Sequence, residues 1–352
     1  MRIGILTFHW AANHGALLQG YASARYLAEQ YPDSDVRIIN YVPAAHKDSF
    51  LNLFRPHRPY AMLTRWKSYG KGCRLNAFRR TLPLTTLFST SSALKQHADD
   101  FDLVFCGSDQ IWNYDITDGF QAPYFGADKS EASETKVISY AASCGDIAEF
   151  PKEKKEELFS LVKNLDKIGV REDSLNEELK RNKIPCTTTL DPTFLLSAEE
   201  YLSSFDIKVK STSKYLLEYA LRPSPELDEL SESIVSDKGI ELIKICGYCK
   251  LKNENGLFNV GPEEFLSLIA NADYVTTNSF HGTAFSLIFR KSFNVVLPSE
   301  RRGRIFDLLN KLGLQGRISA DYESADTTEI VYDKFESVLN REIEKSKQFI
   351  NF

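Results

Sequence analysis

Apolar residues along the chain fall into short unbroken runs that alternate with stretches of three- and four-residue spacing, the pattern of buried strands separated by amphipathic helices. In the first half the runs RIGILTF, VRIINY, DLVFCG, KVISYAAS and KIGVRE read as strands, and ALLQGYASARYLAEQY, SALKQHADD and PKEKKEELFSLVKN between them read as helices. The second half repeats the theme with strands KYLLEYAL, IELIKIC, ADYVTT and FNVVLP, separated by helices PELDELSESIVSD, PEEFLSLIA, GTAFSLIFR and RIFDLLNKLGL. All-apolar strands alternating with helices predict an α/β protein with mostly parallel sheets, because such strands must be covered on both faces. Two doubly wound units of this kind leave a cleft between their carboxyl edges, where open α/β sheets bind ligands.

The most plausible boundary is PCTTTLDPTFLLSAEEYLSSF, where Asp191 before Pro192 forces an extended or turning backbone and the periodicity restarts. The expected division is therefore 1–190, 191–330 and a terminal segment 331–352. That last segment carries Phe335, Val338, Leu339, Ile343 and Phe349 on one stripe and needs a surface to dock on. At 352 residues, two domains are the default, and 43% hydrophobic residues suffice for sizeable cores. A net charge of −5 argues against a nucleic-acid surface. The opening MRIGILTFHW has too short an apolar stretch for a signal sequence, and no 18-residue apolar run occurs, so a cytoplasmic location is expected, with any membrane contact peripheral.

Cys73, Cys106, Cys144 and Cys186 are scattered in segments that read as buried, consistent with reduced thiols. The CGYC pair at Cys246 and Cys249 has the spacing of redox and zinc sites. It stands alone, however: His281 is the only histidine of the second half, and the sequence after the pair continues as a loop. Core and loop thiols are the better reading. The stretch FRPHRPYAMLTRWKSYGKGCRLNAFRR is basic and aromatic, and reads best as a solvated helix with snorkelling arginines, ahead of a flap facing polymer or lipid headgroups.

Residues 276–289, TTNSFHGTAFSLIF, place a lone histidine where a buried strand ends and a helix too apolar for the surface begins. A strand end that delivers helix N–H groups and a titratable ring to one spot is the usual ligand edge of an open α/β sheet. His281 is thus the first candidate for chemistry.

The segments GILTFHWAANHGALLQGYA, VFCGSDQIWN, ISYAASCGD, GVREDS, LDPTFLL, TTNSFHGTAFSLIF and RIFDLLNKLGL occur in that order from Gly4 to Leu314. Each is weak alone; together the chain resembles the polysaccharide pyruvyl transferase family. The resemblance implies a GT-B-like architecture of two Rossmann-like doubly wound domains facing a cleft, the first on the acceptor side and the second on the donor side. A C-terminal helix is then expected to cross back to the first domain. It also implies transfer of the enolpyruvyl group of phosphoenolpyruvate to two hydroxyls of one sugar, giving a pyruvate ketal and phosphate. The acceptor would be a galactose or similar sugar of a surface or capsular polysaccharide, or of its lipid-linked precursor at the inner membrane face.

That chemistry needs a protonated acid over the methylene carbon and directed N–H groups for a phosphate and a carboxylate. His281 corresponds to the motif histidine and is assigned as general acid, with Ser279, Gly282 and Thr283 of its turn on the donor. The family frequently has an arginine two residues before this histidine, where this chain has Ser279. Positive charge must then come from other strand ends: Arg171 in GVREDS first, Arg302 or Arg304 in PSERRGRIFDLL, and Arg222 in YALRPSP. For Arg171 the competing role is a surface arginine paired with Glu172 or Asp173. On the acceptor side, Asn13 and Gly15 allow a tight turn with exposed donors, and His9 and His14 are candidate hydroxyl bases. Asp109 is the preferred base, with Gln110 beside it and Trp112 as a sugar-stacking face, although Ser108 or Asp109 could equally be a helix cap. No metal and no cofactor are implied, since phosphoenolpyruvate is a co-substrate. Two other classes fit the same fold: a GT-B nucleotide-sugar glycosyltransferase, and a catalytically silent glycan-binding relative, suggested by the arginine missing before His281.

Overall fold

The structure is a computed structural model and describes residues 1–43, 46, 61–127, 134–209, 214–246, 256–297, 303–319 and 321–351. The strands are β1 (Arg2–Leu6), β2 (Asp35–Ile38), β3 (Leu103–Cys106), β4 (Lys136–Ala142), β5 (Lys167–Val170), β6 (Thr187–Thr188), β7 (Tyr215–Ala220), β8 (Glu241–Cys246), β9 (Gly256–Leu257), β10 (Tyr274–Thr277) and β11 (Ser292–Val295). The helices are α1 (His14–Gln30), α2 (Ala61–Thr81), α3 (Ser91–Lys95), α4 (Lys152–Leu161), α5 (Asp173–Arg181), α6 (Ala198–Ser204), α7 (Pro225–Lys238), α8 (Pro262–Asn271), α9 (Phe280–Ile288), α10 (Gly303–Lys311) and α11 (Glu336–Ile350).

The strands build two fully parallel sheets, in the orders β2-β1-β3-β4-β5-β6 and β11-β10-β7-β8-β9. Each sheet reverses its winding once, between β1 and β3 in the first and between β7 and β10 in the second. A crevice opens at the carboxyl ends of the strands at such a reversal, because the flanking connections leave to opposite faces. The ends of β1, β3, β7 and β10 therefore decide where ligand chemistry sits.

All nine strands expected from the apolar runs are present, and the structure adds the two-residue edge strands β6 and β9, which are too short to leave a pattern. Helices α5 and α6 were not legible from spacing. Helix α6 has a capping box, with Ser197 accepting from the Glu200 N–H and Glu200 accepting from the Ser197 N–H. The basic stretch is helix α2, with Leu75 and Phe78 buried and Arg74 paired to Glu264 at 2.6 Å. Residues 54–60 of that stretch lie outside the described residues, as does Cys249 of the CGYC pair.

One apolar core runs through both domains, with His14 of α1 stacked on Phe265 of α8, Tyr21 of α1 against Phe205 at the end of α6, and Tyr201 of α6 against Phe285 of α9. The C-terminal helix crosses back to the first domain. Its Ser346 hydroxyl accepts from the Leu190 N–H at 2.8 Å, Lys167 donates to the Phe349 carbonyl at 2.6 Å, and Tyr31 donates to the Ile350 carbonyl at 3.1 Å. Among the described residues no helix is long and apolar enough to cross a membrane.

Candidate active site

Between β10 and α9 the chain turns on side-chain bonds. Asn278 accepts from the Leu221 N–H at 2.8 Å and donates to the Arg222 carbonyl at 3.0 Å, stapling the ends of β7 and β10 together at the switch point. Ser279 caps α9: its hydroxyl accepts from the Gly282 N–H at 3.3 Å, while Thr283 donates its hydroxyl to the Ser279 carbonyl at 3.0 Å. Ser279, Gly282 and Thr283 were expected on the donor; instead their polar groups build the turn. A Cβ on Gly282 would lie 2.4 Å from Thr277 Oγ1, so its face is turned into β10. Arg222 gives its carbonyl to the staple and is exposed, with no hydrogen bond or ion pair to the buried cluster described below.

This turn holds His281 on the first turn of α9, only 4% exposed. Its ring is faced by the first turn of α1, from the other domain. A Cβ on Gly15 would lie 2.1 Å from both Cγ and Nδ1 of His281, so only glycine allows the two helix starts to meet. Asn13, expected as an acceptor contact, is the α1 cap and accepts from the Gly15 N–H at 2.8 Å. Gly15 likewise serves His281 rather than offering an exposed donor.

Beyond the Nε2 edge of the ring lies a cluster of charges from four strand ends. Arg171, after β5, is buried rather than a surface arginine, and its Nη1 donates to Asp191 Oδ2 at 2.8 Å. Its Nη2 lies 3.6 Å from Asp109 Oδ1, and its Nε 3.8 Å from Glu172 Oε1. Arg304, on the first turn of α10, points its Nη1 at the same Asp109 oxygen from 3.8 Å. Both guanidiniums lie over the ring of Phe280, at 4.8 Å for Arg171 and 5.8 Å for Arg304. Asp109 follows β3 in the left-handed region, at φ 73, a conformation that aspartate tolerates, and its carboxylate accepts from the Gln110 N–H at 2.9 Å. With Arg304 it forms the accessible side of the cluster, each side chain 16% exposed.

Asp191 is fully buried at the centre. Its Oδ1 accepts from the Thr193 N–H and hydroxyl at 3.0 and 2.9 Å, and its Oδ2 accepts from Ser108 at 2.9 Å as well as from Arg171. The Nε2 of His281 stands 3.8 Å from the same oxygen. Glu172, equally buried, accepts on Oε1 from the Ser143 hydroxyl and leaves Oε2 without a hydrogen bond. Also buried and unbonded are His281 Nε2 and the Nε and Nη2 of Arg171. Such groups cost free energy unless water or a polar ligand joins them.

Burial and, to a lesser degree, Arg171 and Arg304 push the pKa of His281 down, against the opposing charges of Asp191 and Asp109. Burial works against the charge on Asp191, yet His281 and Arg171 hold its pKa below the ordinary carboxylate range. Burial raises Glu172 despite Arg171 and Arg304. Although burial acts against its charge, the carboxylates of Asp191, Glu172 and Asp109 keep Arg171 firmly protonated. A carboxylate and a cation about 4 Å apart attract by roughly 4 kcal/mol at an effective dielectric of about 20, enough to decide a proton's place.

The structure thus brings together His281, Asp109, Arg171 and Arg304, and corrects four further acceptor-side assignments. His9 is buried between the Thr7 carbonyl and Asn40 Oδ1, each at 3.0 Å, with burial pushing its pKa down to about 4. His14 is bonded to Tyr219 at 3.2 Å and to the Val260 carbonyl at 2.8 Å, so it joins the domains, and burial pushes its pKa down to about 3. Neither is available as a hydroxyl base. Trp112 is fully buried, donates to the Tyr124 carbonyl at 3.1 Å and stacks on Phe125, which excludes it as a sugar platform. Gln110 is buried and accepts from Asn113 at 3.2 Å. Arg302 lies outside the described residues. Among the described residues no group of three or more His, Cys, Asp or Glu side chains has a metal-holding arrangement.

Sequence reasoning passed over Phe280, and read Asp191 only as a boundary, Ser108 only as a helix cap and Glu172 only as a partner for Arg171. The available signal was an aspartate inside TLDPTFLL, since a carboxylate in so apolar a stretch must find buried partners.

A family model described as polysaccharide pyruvyl transferase matches residues 13–300. No curated protein sequence matches the chain significantly. Among solved structures, the chain is similar to a putative UDP-N-acetylglucosamine 2-epimerase from Listeria monocytogenes, with TM-score 0.52 and 10% identity over 99% of this chain and 90% of that one. It is similar also to a UDP co-structure of MnaA from S. aureus, with TM-score 0.50 and 9% identity over 99% of this chain and 89% of the other. At such identities the likeness is one of fold, the GT-B arrangement of two facing parallel-sheet domains.

Proposed function

Because the chain belongs to the polysaccharide pyruvyl transferase family, we propose that it transfers the enolpyruvyl group of phosphoenolpyruvate to two hydroxyls of one sugar, forming a cyclic ketal and releasing phosphate. The observation that carries this reading is a set of buried, directed and unbonded groups in one place: His281 Nε2 and Arg171 Nε and Nη2, with Arg304 beside them. A ligand with two anionic groups and a carbon to be protonated matches that set. The phosphate and carboxylate of phosphoenolpyruvate are such groups, and planar guanidiniums bind both with paired N–H bonds.

Protonated His281 delivers its Nε2 proton to the methylene carbon of the donor, which becomes a methyl group. The first sugar oxygen bonds to the adjacent carbon, its proton passing to Asp109. The second hydroxyl then replaces phosphate at the same carbon; its proton restores His281, and the departing phosphate takes the proton held by Asp109. Arg171 and Arg304 stabilise the charge gathering on the phosphate as the carbon–oxygen bond breaks. The donor's anionic groups also restore the protonated form of His281, which burial disfavours in their absence. The acceptor enters from the side of Asp109 and Arg304; a galactoside giving a 4,6-ketal, in a polysaccharide or its lipid-linked precursor, is the acceptor of choice.

The test is phosphate release from phosphoenolpyruvate with a panel of galactosides and N-acetylmannosaminides, comparing wild type with His281→Ala. Acceptor-dependent release that the variant loses, with a product heavier by one pyruvylidene unit, is the expected result. No release with any acceptor, together with binding of UDP or GDP sugars, would overturn the reading in favour of a nucleotide-sugar glycosyltransferase.

A further inference from the structure

Asp191 stands where three parts of the chain meet: it follows Leu190, which is tied to Ser346 of the C-terminal helix, it opens the turn Pro192–Leu195 between the domains, and it faces His281 of the second domain. Its two oxygens have separate tasks. Oδ1 is taken up by Thr193 and fixes the turn, while Oδ2 is shared among Ser108, Arg171 and, at 3.8 Å, His281.

We propose that Asp191 is the positioning residue of this site, one buried carboxylate that locks Arg171 by its Nη1 corner and holds the positive charge on His281. The distances divide the work. At 2.8 Å, Arg171 Nη1 is committed to Asp191, which leaves the Nε and Nη2 edge facing Glu172 and Asp109 without a hydrogen bond. At 3.8 Å, His281 Nε2 is too far to hydrogen-bond, so Asp191 stabilises the imidazolium without capturing the proton that has to be delivered. The charged groups facing His281 are Asp191, Asp109 after β3, Arg171 after β5 and Arg304 on α10, while α1 sets Gly15 against the ring. Of the two carboxylates Asp191 is the fully buried one, where a charge is least screened.

The inference rests on the role of His281 given above, and its test is read without substrate. The imidazole resonances of His281 are titrated in wild type, Asp191→Asn and Thr193→Ala. Asp191→Asn is expected to lower the titration of His281 by about one pH unit or more, and Thr193→Ala, which touches only Oδ1, to leave it within about 0.3 unit. In phosphate release, the basic limb of the kcat/KM profile should move down by the same amount in Asp191→Asn. Should that variant not fold, the carboxyl carbon of Asp191 must titrate higher in His281→Gln than in wild type, since the coupling is reciprocal. An unchanged His281 titration in Asp191→Asn, or an unchanged Asp191 titration in His281→Gln, overturns the proposal. A wild type that titrates as expected but releases no phosphate would leave this coupling standing and remove only the ketal-forming reading.

Discussion

Gly15 of the first domain lies against the imidazole of His281 in the second, so close that a Cβ on Gly15 would come within 2.1 Å of the ring. The position of the candidate acid is therefore set by a residue with no side chain. Gly15→Ala should displace the ring and lower acceptor-dependent phosphate release by about 100-fold, the scale of a 1 Å misplacement of a reacting group. Strain from overpacking should cost about 1–3 kcal/mol of stability. A folded variant with activity within threefold of wild type would sink the claim that His281 acts from this position.

Arg171 and Arg304 flank the same ring and the same Asp109 oxygen, yet they should respond differently to removal. Arg171→Met leaves Asp191 and Glu172 buried without their cation, and breaking a buried pair costs about 3–5 kcal/mol. Arg304→Ala, at the more accessible edge, should cost no more than about 1 kcal/mol and raise the KM for phosphoenolpyruvate about tenfold or more. Urea denaturation and steady-state kinetics on both variants check the contrast; equal stability losses would contradict it.

Asp307 accepts from the Asp173 N–H at 3.2 Å where α10 meets the start of α5, and burial, followed by the charge of Asp173, raises its pKa to about 6. A carboxyl whose folded pKa lies above its unfolded value contributes stability below about pH 4, and that contribution is lost as the pH rises through about 6. Asp307→Asn removes the loss while keeping an acceptor for Asp173. The variant should be more stable than wild type by about 1–2 kcal/mol at pH 7.5, an amount discounted for partial exposure, and no more stable near pH 4. Denaturation midpoints at the two pH values measure this, and a pH-independent difference would refute it.

Phe349 is buried against Gly169 and Tyr140, with the Lys167 ammonium 4.3 Å from its ring centroid. Phe349→Ala should cost about 3–5 kcal/mol, because the first sheet loses the side chain that covers β5. Thermal unfolding gives the value; a loss below about 1 kcal/mol would mean that the C-terminal helix is not a structural part of the first domain.

The two parallel-sheet domains, the amphipathic end of the chain and the strand end carrying His281 were legible along the chain, because apolar periodicity and strand-end punctuation are local properties that each segment carries alone. Arg171 and Asp109 were legible for the same reason, each following an apolar run. Which strand ends meet is settled by folding alone. His14 and His281 look alike in sequence, yet one is satisfied by Tyr219 and Val260 and the other left with an unbonded Nε2. Trp112 reads as a platform until the Ala122–Phe125 turn covers it. Asp191 reads as the residue before a proline until folding sets Ser108, Arg171 and His281, from 83, 20 and 90 positions away, around a single oxygen. Burial and pairing of charge depend on such distant contacts, which no spacing along the chain encodes.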